Sequence, residues 1–152
     1  MALMTFKATS RKLGQGLSVE SEARGFKLVM DEPVGMGGTD TGMSPVEAIL
    51  TALGSCQCIV AAAFARMHGI AFQEFWVELE GDLDTDGFMK GLAGVRPGFQ
   101  EIRFTMHIRT DAPKEQVAAF QAFIEGRCPV GDSLLQGVPM RGLEMVVEPL
   151  SA

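Results

Sequence analysis

The chain has 152 residues and a mass of 16.3 kDa, enough for one hydrophobic core, and predicts a single domain over residues 1–152. Apolar residues make up 47% and charged residues 21%, which excludes an intrinsically disordered chain. Thirteen Lys and Arg residues against nineteen Asp and Glu residues give a net charge of −6, and this acidic balance argues against nucleic-acid binding.

The hydropathy of the chain predicts a cytoplasmic protein with no membrane partner. The first residues lack a basic start followed by a long apolar stretch, so no signal peptide is expected. The longest unbroken apolar run, residues 58–65, has eight residues. A bilayer needs about 20.

The chain has three cysteines, Cys56, Cys58 and Cys128. A secreted disulfide scaffold would carry more cysteines, in pairs, so this class of protein is not expected. A free thiol in the core is one interpretation of each. A Cys-x-Cys pair, a distant Cys and two scattered histidines lack the two closely spaced ligand pairs of a structural zinc site. No metal and no cofactor is therefore expected.

The first half of the chain predicts strands followed by a long helix. Strands are expected over Thr5–Arg11 and Phe26–Met30, around a glycine turn at residues 14–16. Residues 35–42 form a glycine-rich loop, interpreted as a turn that positions the next helix. Ser44-Pro45-Val46-Glu47 is a capping box with proline at the first helical position, and it starts a largely buried helix over Pro45–His68.

The second half predicts two alternating strands, over residues 75–83 and 102–109, joined by a glycine-rich connection. A helix capped by Asp111 should run through Glu125. Arg127 to Val130 should open a short helix or turn, and Leu143–Glu148 should form a closing strand. The fold class is thus α+β, with antiparallel sheets around a long central helix.

The thiols differ in where they are expected to point. Cys56 falls on the apolar stripe of the helix, and Cys58 lies about 200° further around it, so a disulfide between them is disfavoured. Cys128 is followed by a proline that favours a helix start, so its sulfur should lie near free backbone N–H groups. Such a position lowers the pKa of a thiol.

Two segments carry a resemblance to a known family. Residues 37–56, GGTDTGMSPVEAILTALGSC, resemble the loop and central helix of the OsmC/Ohr family, in which a proline opens the helix and the peroxide-reactive Cys follows. Cys128-Pro129-Val130 resembles the second cysteine motif of that family. The Ser-Pro-x-Glu and Leu-Gly-Ser-Cys sequences resemble the OsmC-like YhfA branch of the family more than its organic hydroperoxide resistance proteins.

The resemblance implies a thiol-dependent peroxidase of organic, and also hydrogen, peroxides. Cys56 would become a sulfenic acid, and Cys128 would condense with it to a disulfide. A dithiol, lipoyl-type in parts of the family, would restore the enzyme. The family fold is an intertwined homodimer with two sites at the subunit interface.

A thiol on an apolar helix face needs a cation to stabilise its thiolate. The peroxidase members of the family use an Arg from the N-terminal strand region, held by a Glu directly after the helix-opening proline. Arg11 is the first candidate for that Arg and Arg24 the second. Val46 stands where the family has Glu, and Glu47 is expected to cap the helix because it faces about 180° from Cys56.

A second hypothesis is a non-catalytic or redox-sensing OsmC-like dimer that binds a small apolar ligand or a partner protein. The distance between Cys56 and Cys128, and the presence of an Arg beside Cys56, distinguish the two. Cys58 is expected to be a bystander, and the alternative interpretation is that it serves as a second resolving thiol.

Overall fold

A computed structural model describes residues 3–14, 16–142 and 145–149. These residues form two antiparallel sheets and four α-helices, a mixed α+β fold with a long central helix, as predicted. In chain order the elements are β1 Thr9–Lys12, β2 Val19–Ala23, β3 Phe26–Met30, α1 Pro45–Phe64, β4 Glu74–Leu83, α2 Thr85–Met89, β5 Phe99–Arg109, α3 Lys114–Arg127 and α4 Pro129–Gln136.

The N-terminal sheet has the order β1-β2-β3, all antiparallel. Its middle strand, β2, was not predicted, because its sequence Val-Glu-Ser-Glu-Ala has almost no apolar face. The predicted first strand begins only at Thr9, where pairing with β2 starts. Arg24 and Gly25 both have positive φ, 55° and 86°, and form the tight turn between β2 and β3.

The glycine-rich loop is fastened to Asp31, a carboxylate that is only 2% exposed. Its Oδ2 accepts the amide of Thr39 at 2.9 Å, and it also accepts the hydroxyl groups of Thr39 and Thr41. The hydrogen bond from the Thr39 side chain is the largest of the causes that hold the pKa of Asp31 well below its usual range. The loop is thus a fixed turn that leads into α1, as the sequence predicts.

The start of α1 is a complete capping box. The Ser44 amide donates to Glu47 Oε2 at 2.7 Å, and the Glu47 amide donates to Ser44 Oγ. The predicted helix is confirmed through residue 68, although its last turn, Ala65–His68, is a 3₁₀ helix ended by Gly69 at φ 65°.

The helix over residues 45–68 is long and apolar enough to cross a bilayer, judged by its length and composition alone. The length of unbroken apolar runs, which was the criterion applied to the sequence, does not identify this helix. A core helix of a globular domain has the same length and composition, so these are weak evidence for a membrane span. One face of α1 packs on β4, α3 and α4. A cluster of buried side chains there forms the core: Val60, Ala61, Ala65, Ile70, Phe120 and Ile124.

Two boundaries in the second half differ from expectation. Asp111 does not cap α3, whose N-cap is Pro113 without a side-chain hydrogen bond. The reason is that Ala112, which precedes the proline, is biased away from helical angles. The connection between β4 and β5 also contains the short helix α2, which Asp84 caps by accepting the amide of Asp86.

The predicted closing strand is wrong where it can be tested. Leu143 and Glu144 lie outside the described residues, and residues 145–149 form no strand. Met145, Val146 and Val147 are 91%, 72% and 85% exposed. A strand needs a neighbouring strand for its backbone hydrogen bonds, and none of the described strands pairs with this segment.

Gly38→Ala should lower the free energy of unfolding by about 3 kcal/mol or more, because a Cβ there would overlap the carbonyl oxygen of Glu32. Gly35→Ala in the same loop is the matched control, since its Cβ would meet nothing within 4 Å. That control should change stability by no more than about 0.5 kcal/mol. Urea unfolding measures both, and equal losses would contradict the close packing of the loop.

Candidate functional site

The site begins on α1, which carries two half-buried thiols. Cys56 lies between the buried residues Leu53 and Val60 on the same helix. Cys58 is also half-buried, and burial raises the pKa of its thiol. Both are free thiols, in agreement with the expectation that no disulfide joins them.

Cys128 lies in the link between α3 and α4 and is 1% exposed. The start of α4 packs against α1: a Cβ built on Gly131 would lie 3.7 Å from Leu53 Cδ1 and 3.5 Å from Cys128 Sγ. Cys56 is close enough to Cys128 to be one of the causes that raise the pKa of the Cys128 thiol. The two cysteines that the sequence singles out are thus brought together, and both are free thiols.

The sulfur of Cys128 is also the N-cap of α4. The Gly131 amide donates to Cys128 Sγ at 3.3 Å, and Pro129 occupies the first helical position. The sulfur therefore lies near free backbone N–H groups, as predicted.

The predicted consequence for the pKa of Cys128 is wrong in sign. Burial raises the pKa of this thiol most, and the hydrogen bond and charge of Cys56 raise it further. The N–H groups of Gly131 and Val130 act in the opposite direction but are outweighed. Cys128 is therefore held as a protonated thiol beside Cys56.

Arg11 lies elsewhere in the chain, on β1. It lines an open concave surface of the N-terminal sheet together with Glu20, Glu22 and Arg24. That sheet packs mainly on itself and makes few contacts with α1. Within the described part of the chain, no cationic side chain hydrogen-bonds to either Cys56 or Cys128.

Arg24, the second candidate, lies at the tip of the β2–β3 turn, with its guanidinium 5.6 Å from the centre of the Phe26 ring. Glu47 caps α1 as expected, because its Oε2 accepts both the amide and the hydroxyl of Ser44. The backbone hydrogen bond from Ser44 is the largest cause that lowers the pKa of Glu47.

The sequence singles out both thiols and places Cys128 at the start of a helix, directly before a proline at the first helical position. It gives no signal for Asp31, because its partners Thr39 and Thr41 reach it only after the loop folds back on β3.

Cys56→Ser should lower the pKa of Cys128, because the substitution removes the neighbouring thiol whose hydrogen bond and charge raise it. The ¹³Cβ chemical shift of labelled Cys128, followed as a function of pH, measures the change. Cys58→Ser is the control and should leave the titration of Cys128 unchanged. Identical midpoints for the Cys56→Ser protein and the unmodified protein would show that the two thiols do not interact.

Comparisons with known proteins show which fold and which family the chain shares. The chain is similar in structure to an OsmC-like protein from Mycoplasma pneumoniae, with a TM-score of 0.76, 21% identity and 89% of each chain covered. It is also similar to an organic hydroperoxide resistance protein OsmC from Legionella pneumophila, with a TM-score of 0.61 and 20% identity over 88% of this chain and 91% of that one. An OsmC-like hydroperoxide resistance protein from Jannaschia sp. gives a TM-score of 0.55 and 16% identity over 95% and 94%.

These identities are low, so the structural likeness shows the fold alone. A search of curated proteins found no match. The family model for OsmC-like proteins matches residues 38–141, which is more than half of the chain and includes both Cys56 and Cys128. The chain therefore belongs to the OsmC-like protein family.

Proposed function

We propose that the protein is a thiol-dependent peroxidase in which Cys56 reacts with the peroxide and Cys128 resolves the product. The observation that carries the proposal is the meeting of these two free thiols, one half-buried on α1 and one buried at the start of α4. Two relatives in the fold, from Legionella pneumophila and Jannaschia sp., are named as hydroperoxide resistance proteins.

The first step is attack of the Cys56 thiolate on the peroxide O–O bond. The sulfur takes one oxygen and becomes a sulfenic acid, and the other oxygen leaves as an alcohol, or as water when the substrate is hydrogen peroxide. Cys56 is suited to this step because it is more exposed than Cys128, so a substrate reaches its sulfur first.

The second step is attack of Cys128 on the sulfenic acid. A disulfide forms between the two sulfurs and water leaves with the oxygen, which protects Cys56 from further oxidation. A dithiol then reduces the disulfide and is itself oxidised, and a lipoyl-type dithiol fits this role. A cycle that ends in free thiols suits the reducing cytoplasm.

The surroundings of Cys56 favour organic peroxides. Its helix neighbours Leu53 and Val60 are apolar and buried, and Ile59 on the same helix is 68% exposed. An alkyl group gains more from such a surface than a hydrogen peroxide molecule does.

A homodimer would complete the site. An apolar face beside the core stays exposed: Ile49 and Ile59 on α1 and Met67 in the 3₁₀ turn that follows it are exposed by 38%, 68% and 69%. Large exposed apolar faces mark contact surfaces, and a second copy of α1 would cover this one. The partner would also bring its own N-terminal sheet, and with it Arg11, towards Cys56.

A redox-sensing or ligand-binding dimer is the alternative, and one observation favours it. The described residues place no cation beside Cys56 in a single chain, and Glu47 is engaged with Ser44 rather than with an arginine. Such a protein would form the same thiol pair but would turn over peroxide slowly.

Cys56→Ser should abolish reduction of cumene hydroperoxide, with a decrease of roughly 1,000-fold or more in kcat/KM, since no sulfenic acid can form. Cys58→Ser is the matched control, because it removes a thiol two positions away on the same helix, and it should keep nearly full activity. Peroxide consumption coupled to a dithiol measures both. Equal activities of the two variants would refute the assigned roles.

Arg11→Gln should lower kcat/KM for peroxide by about tenfold or more, since the thiolate loses its cation. Arg24→Gln is the control and should have a much smaller effect. Mixed dimers of Cys56→Ser and Arg11→Gln subunits test where the arginine acts. If Arg11 serves the partner's Cys56, one site of each mixed dimer is intact and activity is restored, whereas an inactive mixture would exclude that arrangement.

A further inference from the structure

We propose that disulfide formation at Cys128 removes the N-cap of α4, so that the oxidation state of the site controls the first turn of this helix. The inference rests on the proposed function in one respect, since peroxide is the oxidant that would form the Cys56–Cys128 disulfide. It concerns a second role of the same sulfur, which is structural in the reduced protein.

The capping role follows from the contacts of the reduced thiol. Cys128 Sγ accepts the amide of Gly131 at 3.3 Å, and this residue is the third of α4. No other side chain caps this end of the helix among the contacts of the described residues. The amide of Asp132 is already bonded to the carbonyl oxygen of Cys128. The Gly131 amide thus depends on the sulfur alone.

Bond formation must move one of the two sulfurs. Both are free thiols, and the sulfurs of a disulfide are about 2 Å apart, far closer than any non-bonded contact. Cys56 lies inside α1, where the packed helix fixes its Cβ. Cys128 lies in the link between two helices, at φ −76° and ψ 109°, so the chain at this residue is less constrained than at Cys56 inside α1. The Cys128 sulfur therefore swings towards α1 and away from the Gly131 amide.

Once peroxide has oxidised Cys56 to a sulfenic acid, formation of the disulfide needs no further oxidant. The Cys128 sulfur attacks the Cys56 sulfenic acid, one S–S bond replaces the S–O bond, and the oxygen leaves as water with the thiol proton. Because a cysteine sulfur is a weak acceptor, its hydrogen bond with the Gly131 amide is lost once the sulfur moves out of line. The first turn of α4 loses its cap and frays.

The released helix has an exposed apolar side through which the change can be detected. Leu134 and Leu135 on α4 are 43% and 83% exposed, and the chain continues from residue 137 without helix or strand. Fraying of the first turn would shift these residues relative to α1. The oxidation state of the two thiols would thus change the position of exposed side chains at the surface of the protein.

Amide hydrogen exchange of the full-length protein, resolved by NMR, tests the proposal at Gly131. Diamide, an azo compound that takes two hydrogens from a thiol pair, forms the disulfide without any need for peroxidase activity. The Gly131 amide should exchange about fivefold faster in the oxidised protein than in the reduced one, the factor expected for loss of one helix cap.

Two variants at the same position separate capping from oxidation. Cys128→Ser keeps a capping side chain but cannot form the disulfide, so its Gly131 amide should stay protected with or without diamide. Cys128→Ala lacks the cap and should exchange about as fast as the oxidised protein even when reduced. Should the alanine variant fail to fold, the serine variant and the diamide comparison decide alone.

The outcomes separate this inference from the proposed peroxidase. Unchanged exchange at Gly131 after the Cys56–Cys128 link has formed would overturn the uncapping. Failure of diamide to form the link would overturn it as well. A link that forms with diamide and accelerates exchange, in a protein that does not reduce peroxide, would support the uncapping and refute the peroxidase.

Discussion

The contact between the start of α4 and the middle of α1 is the constraint on which the rest of the site depends. It places the Gly131 end of α4 against Leu53 and so brings the buried Cys128 to Cys56. Burial has two consequences there. It holds Cys128 as a thiol that can donate its proton, and it leaves the less buried Cys56 as the sulfur that a substrate can reach.

The position of α1 is itself fixed at both ends of the helix. The Asp31 carboxylate fastens the loop before it, and the capping box of Ser44 and Glu47 sets its first turn. The 3₁₀ turn and Gly69 end it against α3. The same helix leaves an apolar face uncovered around Ile59, which a second copy of the chain would cover in the proposed dimer.

Local patterns were enough to predict α1, β3, β4, β5 and the start of α4, since each has a clear period or a capping signal. They were not enough for β2, whose polar sequence forms a strand only because β1 and β3 pair with it. The resemblance to a known family singled out Cys56 and Cys128 together. The pKa of Cys128 was predicted in the wrong direction because burial, a tertiary effect, outweighs the local helix N-terminus.

Peptide mass spectrometry of the reduced protein after brief exposure to cumene hydroperoxide tests the central claim most directly. The account predicts rapid loss of two hydrogens, mapped to a link between Cys56 and Cys128, with Cys58 still free. All three thiols remaining free, or a link that involves Cys58 instead, would contradict it.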